Sequence, residues 1–572
     1  LFLTCKDVKW RDKFFALALL LFFMVSFIVR QLDYIWHGFH FTNMIPYRFS
    51  FLFSFVVLYM AYKAWTLRDS FRLWQLILAG IAAAGLILCS ESRTEPVFLI
   101  FNLGFTAVYL TSLGYCLPGR TPAPAEGQEE PDTDALLAYV EDLDKRRANG
   151  TLLLAAVFAG ELCMNVLCFG LNFSFTYNTN YPKGTADTAE VLEFLHEREH
   201  DNLFYRTETT HSQTLNDGAL NGYNGISAFT SSANVKVTEF MKTLGYSAKN
   251  TYNRYCFEEG SPVANLFLGL KYMLERDGEV EANRYFDPVY AAGDVYLLEN
   301  NAYLPLAFLA DSALGDLHLN GTDHFEIQNA LFSNATGLYS EVWTQLEPRI
   351  TGEKVTVTSQ TGPSVKNKDA QSGSSVTYTF ESDRDGFVCL DFDVTDRNSY
   401  SVYHNGEKLY AESLSLTQMI AACDVIPGDT IEVKLTCKSG EEGRMTVRAA
   451  ILDDGLFRLG VKTLGRNTLE LTDFDTTHIT GTINCDRDGL LYSSVPQDGS
   501  WHVLVDGQEA DITLVGDVMV AVPLTAGEHT VEYVYENQSF SIGWKVSAIC
   551  LLLLGITAPI YYTKRKKGRF ER

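Results

Sequence analysis

The chain has 572 residues, too many for one hydrophobic core, so several domains are expected. Its net charge of −24 argues against nucleic acid as a partner. A mean hydropathy of −0.01 averages two unlike parts, a set of very apolar segments and a long polar region.

In chain order, the first element is a short basic stretch from Leu1, without a cleavable leader pattern, and the chain reads as lacking an N-terminal part. A membrane helix needs ~20 mostly apolar residues. Runs of that kind fall at about 14–32, 49–67, 73–90, 96–116, 151–171 and 543–562. Lys and Arg collect on cytoplasmic loops. Lys6, Lys9, Arg11 and Lys13 place the first end inside, as do Lys63, Arg68 and Arg72 for the second-to-third loop. Lys145, Arg146 and Arg147 precede the fifth span, and Lys564-Arg565-Lys566-Lys567 follow the last. Six spans alternate consistently with all of these groups. The 36–48 loop, the 91–95 turn and residues from about 172 to 542 then share the outer face.

The first outer loop, Trp36 to Phe51, packs two His, an Arg, an Asn and several aromatics beside a bilayer, where ionisable groups are expensive and usually line a cavity or site. The segment 118–150, rich in Pro, Glu and Asp, reads as a mobile cytoplasmic linker. The eleven cysteines show no CxxC or metal-ligand spacing. Cys423 and Cys437 could pair, but buried free thiols are the favoured reading.

Beyond the fifth span, Thr188–Glu197 reads as an amphipathic helix, and Leu203–Glu208 and Val295–Leu298 as strands, an α/β unit over 172–350. From about 351 the pattern becomes all β. A weak repeat runs through it: Asp383-Arg384-Asp385-Gly386 recurs as Asp486-Arg487-Asp488-Gly489, and Asn405-Gly406 as Asp506-Gly507, both hairpin signals. Pro427–Val433 matches Ala526–Glu532. The expected fold class is therefore mixed: a polytopic α-helical membrane domain (1–171, with the last helix and basic tail at 541–572), an extracytoplasmic α/β unit, and two tandem jelly-roll-like β-sandwiches at 351–455 and 456–540.

Four stretches carry a resemblance to a known family: Trp36-His37-Gly38-Phe39 with Pro46–Phe51; Phe204-Tyr205-Arg206 with Tyr223–Ser227 and Gly269–Tyr272; Glu299-Asn300 with Leu304–Phe308 and Phe325–Asn329; and Val495-Pro496 through Trp501, Val505–Gly507 and Ala526–His529. On these the chain resembles the YfhO family of bacterial membrane proteins over essentially its whole length. The resemblance implies a plasma-membrane glycosyltransferase of the GT-C type. Such an enzyme moves a sugar from a polyprenyl-phosphate carrier in the membrane lipid to a cell-envelope polymer such as lipoteichoic acid. It also implies a catalytic carboxylate in an earlier outer loop, upstream of Leu1, so the catalytic residues themselves stay unassigned.

Inverting sugar transfer needs a carboxylate base and cations, or a metal, for the phosphate leaving group. Arg48 and Arg93 are the candidates for the lipid-linked phosphate, with His37 and His40 beside them; the plainer role of Arg48 is a headgroup anchor. Trp36, Phe39, Tyr47 and Phe49 could stack on a sugar or isoprenoid, or form an interfacial aromatic belt. Glu91 and Glu95 could bind a divalent cation or act as base; loop solvation is the plainer reading. Tyr205, Arg206, Tyr223 and Asn224 could contact the acceptor polymer or pack the α/β unit. The reading from a different class is a non-catalytic membrane-anchored protein that binds cell-wall glycan.

Overall fold

In the computed structural model each of the six apolar runs forms a helix. The structure describes all residues except 39–45, 90–95, 120, 123–131, 174–183, 211–213, 231–232, 249–253, 258–259, 277–282, 360–361, 395–398, 414–417, 439, 441 and 571–572. The chain divides into two units, Leu1–Tyr181 and Pro182–Arg572.

The first unit holds α1 (Trp10–Ile28), α2 (Arg30–Trp36), α3 (Ser50–Thr66), α4 (Leu73–Cys89), α5 (Pro96–Tyr115) and α6 (Thr133–Asn172). Among the described residues Phe98–Tyr115, Thr133–Leu171 and, in the second unit, Gln538–Thr563 are long and apolar enough to cross a membrane. The α1–α2 pair adds a fourth if counted as one span. None of the window within Gln538–Thr563 is buried by protein, the pattern of a helix whose partner is lipid.

Two expectations change here. The first span does not run to 32. Val29 is extended (φ −89°, ψ 108°), and α2 leaves α1 at 104°. The segment 118–150 is not all linker, because α6 is helical from Thr133. Asp132 caps it by accepting from the Asp134 N–H, and Glu141–Lys145 and Asp142–Arg146 pair one turn apart at 2.8 and 2.9 Å. Those i,i+4 pairs, with Leu143 between them and Ala138 and Ala148 on either side, favour helix over coil. Within α6, Glu161 is held by the Tyr109 hydroxyl of α5 at 2.5 Å.

The second unit begins with α7 (Thr185–Arg198), whose Val191, Leu192 and Leu195 pack on one face of a four-stranded sheet. That sheet orders β1 (Arg206–Thr209), β5 (Leu270–Glu275), β7 (Val295–Asn300) and β6 (Phe286–Ala292). Between β1 and β5 lie α8 (Asp217–Asn221), α9 (Val235–Thr243) and α10 (Pro262–Leu268), with a small sheet of β2 (Ala228–Phe229), β3 (Ser247–Ala248) and β4 (Arg254–Cys256). The apolar run at 266–274 is thus helix and then strand. Gly269 (φ +65°) makes the break, a left-handed position that suits glycine. β8 (Ala307–Ala310) and α11 (His324–Thr336) complete this part.

The first sandwich has one sheet of β10 (Arg349–Glu353), β13 (Ser374–Glu381), β18 (Thr430–Cys437), β15 (Ser399–His404) and β16 (Glu407–Ser413), in that order. The other orders β11 (Thr356–Ser359), β12 (Ser364–Lys368), β19 (Gly443–Leu452), β14 (Gly386–Val394) and β17 (Gln418–Val425), with β9 (Trp343–Leu346) also on β19. After α12 (Asp454–Leu464) the second sandwich repeats the first sheet as β20 (Glu470–Phe474), β21 (His478–Cys485), β27 (Gly527–Tyr535), β23 (Trp501–Val505) and β24 (Gln508–Glu509). Its other sheet is β25 (Thr513–Val515), β26 (Met519–Leu524), β22 (Gly489–Pro496) and β8. In the slot that β19 fills beside β14, β8 lies beside β22. After β18 the first sandwich continues into β19, whereas after β27 the chain enters α13 (Gln538–Phe570), so an upstream strand fills the place.

The repeat is real but one residue off the sequence alignment of its last motif. Asn405 N–H donates to the Thr430 carbonyl and its side-chain oxygen accepts from the Thr430 N–H; Asp506 makes the same two bonds with Thr530. Thr430 therefore corresponds to Thr530, not to His529. All eleven cysteines are free thiols, Cys423 and Cys437 included.

Candidate functional site

In the first unit the loop residues form an aromatic wall around a buried Asp–His pair. Trp36, at the end of α2, lies parallel to Phe49 (5.1 Å between ring centres, 17°), and its indole N–H donates to Ser26 of α1 at 3.2 Å. Phe49 is buried and also stacks on Phe27 at 5.2 Å. One turn along α2, Asp33 and His37 face each other with side chains 13% and 7% exposed. His37 Nδ1 is 2.7 Å from the Asp33 carbonyl oxygen and 3.3 Å from its carboxylate, which fixes the ring; Nε2 is buried and has no hydrogen-bond partner among the described residues. Tyr47 has φ +64° and donates its N–H to the Asp33 carboxylate at 3.3 Å. A left-handed tyrosine is a locally strained backbone, a feature that clusters at functional sites. Arg48, the next residue, is exposed. The bend at Val29 makes this arrangement, since a straight α1 would carry Asp33 and His37 on along its axis.

Of the expected residues, Trp36, His37 and Tyr47 come together here, with Arg48 at the rim. Phe39, His40, Glu91, Arg93 and Glu95 lie outside the described residues. The pair Asp33–His37 lies outside the residues expected from the sequence, and its i,i+4 spacing on a helix is the signal that marks it.

In the second unit Tyr205, Arg206, Tyr223 and Asn224 fall in one region, and the structure gives each a partner or a packing position. Arg206 donates to the Leu268 carbonyl (2.6 Å) and to Ser494 Oγ and O (2.5 and 3.1 Å), tying β1 to the end of α10 and to β22. Asn224 donates to the Tyr205 carbonyl, and Thr207 N–H to the Asn224 carbonyl. Tyr223 is buried against α7's sheet, its hydroxyl pushed well above the usual range by burial. The 223–227 loop is clamped by Glu208, whose buried carboxylate accepts from the Ile226 and Ser227 N–H groups at 2.6 Å each and from Thr209 N–H at 2.9 Å.

Beside them lies a network that links three separate stretches of the sequence. Glu199, past the end of α7, accepts from Lys271 (2.6 Å) and from the Tyr272 hydroxyl (2.7 Å). Arg198 pairs with Glu299 at 2.6 Å. The Glu199 carboxylate is held below its usual range; burial opposes this, and the bonds from Lys271, Tyr272 and Asn202 outweigh it. These charges are committed to one another, which is the arrangement of a structural network. His196 and His200, with Glu197 between them, have the spacing of a zinc-binding helix. However, α7 ends at Arg198, and His200 turns to Asp201 at 3.1 Å. Among the described residues no group of three His, Cys, Asp or Glu is placed to hold a metal ion.

Comparison with solved structures gives only partial likenesses. A family two carbohydrate esterase from Clostridium thermocellum is 16% identical over 19% of this chain, which spans 32% of that protein's length, with a TM-score of 0.15. A mutant carbohydrate binding module of family 29 is 13% identical, covering 19% of this chain and 89% of its own, again at 0.15. A cycloisomaltooligosaccharide glucanotransferase from Paenibacillus is 10% identical over 39% of this chain and 50% of its own, at 0.17. At these scores none carries an argument. Among curated proteins none matches. The model of the bacterial membrane protein YfhO matches residues 1–547, so with its bent helix pair, apolar spans and paired sandwiches this chain belongs to the YfhO family of bacterial membrane proteins.

Proposed function

We propose that this protein is a membrane glycosyltransferase that takes a sugar from a polyprenyl-phosphate carrier and transfers it to a cell-envelope polymer outside the cytoplasm, lipoteichoic acid being the favoured acceptor. The observation that carries this reading is the α2 site in a member of the YfhO family. It combines an aromatic wall of Trp36 and Phe49, a fixed Asp33–His37 pair, and an exposed Arg48 that follows the left-handed Tyr47. A planar guanidinium binds phosphate oxygens two at a time and stabilises the charge that develops on a leaving phosphate. The aromatic wall suits a sugar ring or an isoprenoid unit.

Arg48→Ala should lower glycosylation of lipoteichoic acid by roughly a hundredfold, the usual effect of removing one transition-state charge partner. Arg48→Lys should retain part of the activity. Both are measured in cells that express each variant at equal membrane levels. Normal glycosylation in Arg48→Ala removes the phosphate role and leaves Arg48 as a headgroup anchor.

A further inference from the structure

An apolar groove of about 580 Å³ lies along α3 and α4 in the first unit. Val57, Met60, Ala61 and Ala64 of α3 line it, spaced so that they form one stripe of the helix, and Ala79 and Ala82 of α4 line it too. The four alanines leave the room, and the bulky, exposed Phe55, Leu58 and Tyr62 of α3 are not part of the lining. From Val57 to Ala64 the helix rises about 10 Å, a third of a hydrocarbon core of ~30 Å. Lipid tails are as apolar as such a lining, so the groove's hydrocarbon surface alone selects no partner.

What can select is the charge at one end. Arg68, in the turn that follows α3, is the charged side chain of the lining. Its guanidinium lies over the Trp65 ring, 4.6 Å from the centre, and Nη1 donates to the Trp65 carbonyl at 3.3 Å. Among the described residues no carboxylate pairs with it, which leaves Nε and Nη2 to donate elsewhere. Lys63, in the last turn of α3, and Arg72, just before α4, likewise have no carboxylate partner among the described residues. The carboxylate of Asp7, which is near, accepts from the Ser70 hydroxyl, and the Asp69 side chain lies outside the described residues. The polar lining residue Gln75 is spent internally: it donates to the Thr4 carbonyl and accepts from the Arg72 N–H. The α3–α4 turn is thus cationic beside an apolar groove.

We propose that this groove holds one acidic phospholipid, with the upper part of an acyl chain along the alanines and the phosphate on Arg68. A guanidinium takes phosphate oxygens two at a time, and basic pockets between membrane helices bind acidic headgroups. A zwitterionic headgroup carries its own ammonium toward Lys63 and Arg72, which sets the preference for a net negative head. The assignment stands apart from sugar transfer: a protein without transferase activity would keep it.

The experiment uses the full chain, stripped of native lipid and placed in phosphatidylcholine nanodiscs. Trace phosphatidylglycerol or phosphatidylcholine, each with a diazirine near the head of one chain, is cross-linked by light and mapped by peptide mass spectrometry. Phosphatidylglycerol should label the 57–82 stretch at least about tenfold more than phosphatidylcholine, and native mass spectrometry should retain one copy of it. Arg68→Gln removes the charge and should lower this labelling about tenfold, the usual worth of a hydrogen bond to a charged group. Ala61→Phe, at an exposed position, should fill the groove and abolish it. Both variants are compared at unfolding midpoints matching the parent; a folding failure of one leaves the other decisive, and the comparison of the two lipids needs neither. Equal labelling by the two lipids, labelling confined to other helices, or a yield unchanged in either folded variant would overturn the assignment. So would displacement of phosphatidylglycerol by an equal amount of polyprenyl phosphate, which gives the groove to the sugar carrier, or a lipid-free dimer, which gives it to a second copy of this chain.

Discussion

Asp506 and His529 show how one hairpin contact can be rewritten within a repeat. In the first sandwich the Asn405 amide donates to Asp429 at 2.8 Å, and this bond, with the Ile426 N–H and His404, lowers the Asp429 carboxyl to about 2. In the second, the carboxylate sits at the turn as Asp506 and the donor is His529, 2.8 Å away. The His529 ring also donates to the Thr525 carbonyl at 3.0 Å, so both nitrogens face oxygens and the imidazolium is favoured. Asp506 is held below the usual carboxylate range, first by the Thr530 N–H and then by His529. A lowered acid stabilises above its ordinary value and loses that contribution as pH falls through the lowered one. His529 is raised, first by Asp506; its contribution is whole below an ordinary imidazole value of about 6.5 and is lost as pH rises through the raised one. The hairpin is therefore tightest in mildly acidic conditions, between the two. NMR titration of the His529 ring should give a midpoint above 6.5, falling toward it in Asp506→Asn; an unchanged midpoint in that variant would remove the pairing. None of this is legible in the sequence, where the motif aligns one residue out and conceals that His529 takes the place of Asp429. Arg206 is the same kind of case: an Arg in a family motif looks like a ligand-binding group, and only the distant Leu268 and Ser494 reveal it as a tie between elements.

At the scale of elements, periodicity exposed most strands of the sandwiches, because each buries one face and alternates. It could not expose the pairing of β8 with β22, which joins residues 180 or more positions apart, Ala307 to Ser493 and Ala310 to Leu490. The four residues of β8 are buried on both faces and carry no alternation. The Asp-Arg-Asp-Gly repeat does carry a trace of that pairing. A Cβ on Gly386 would press on the Ile451 side chain of β19, and one on Gly489 would lie 2.5 Å from the Ala310 carbonyl of β8. Both glycines mark where a neighbouring strand comes close, on equivalent sides. Gly489→Ala should loosen β8 from β22 at a cost of about 1–3 kcal/mol, the usual range for overpacking, and raise hydrogen exchange at the Ser494 amide, which donates to Leu306. Gly386→Ala meets the buried, β-branched Ile451 and the Leu452 carbonyl, so it should be destabilising as well. Equal protection of Ser494 in parent and Gly489→Ala would contradict the close approach. In the same way the helical half of the supposed linker was hidden by its composition: Pro and Glu upstream of Asp132 obscured a capped helix whose charges pair along one face.

For the whole molecule, the question is which side of the membrane the second unit occupies, and the chain path reduces it to one helix. Only Glu536 and Asn537 separate β27 from α13. A link that short keeps the second sandwich at the N-terminal end of α13. β8 then holds the α/β part to that sandwich, and β9 and α12 hold the first sandwich to both. The side is therefore set by the direction of α13, whose end carries Lys564-Arg565-Lys566-Lys567. Basic residues flanking a span favour the cytoplasmic side, and from this we predict that the sandwiches lie outside. α6 argues the same way from the other unit. At 40 residues it is about 60 Å long, twice a hydrocarbon core of about 30 Å. Its polar first half, with Lys145, Arg146 and Arg147, is longer than the span needs, and the same rule predicts that this half projects on the inner face. Glu407, exposed at the start of β16, gives an outer probe. Glu407→Cys should react with a membrane-impermeant maleimide in intact cells well above the native thiols, and Lys566→Cys only after permeabilisation. Labelling of Lys566→Cys in intact cells, with Glu407→Cys protected, would invert the protein and take the proposed sugar transfer outside the membrane with it.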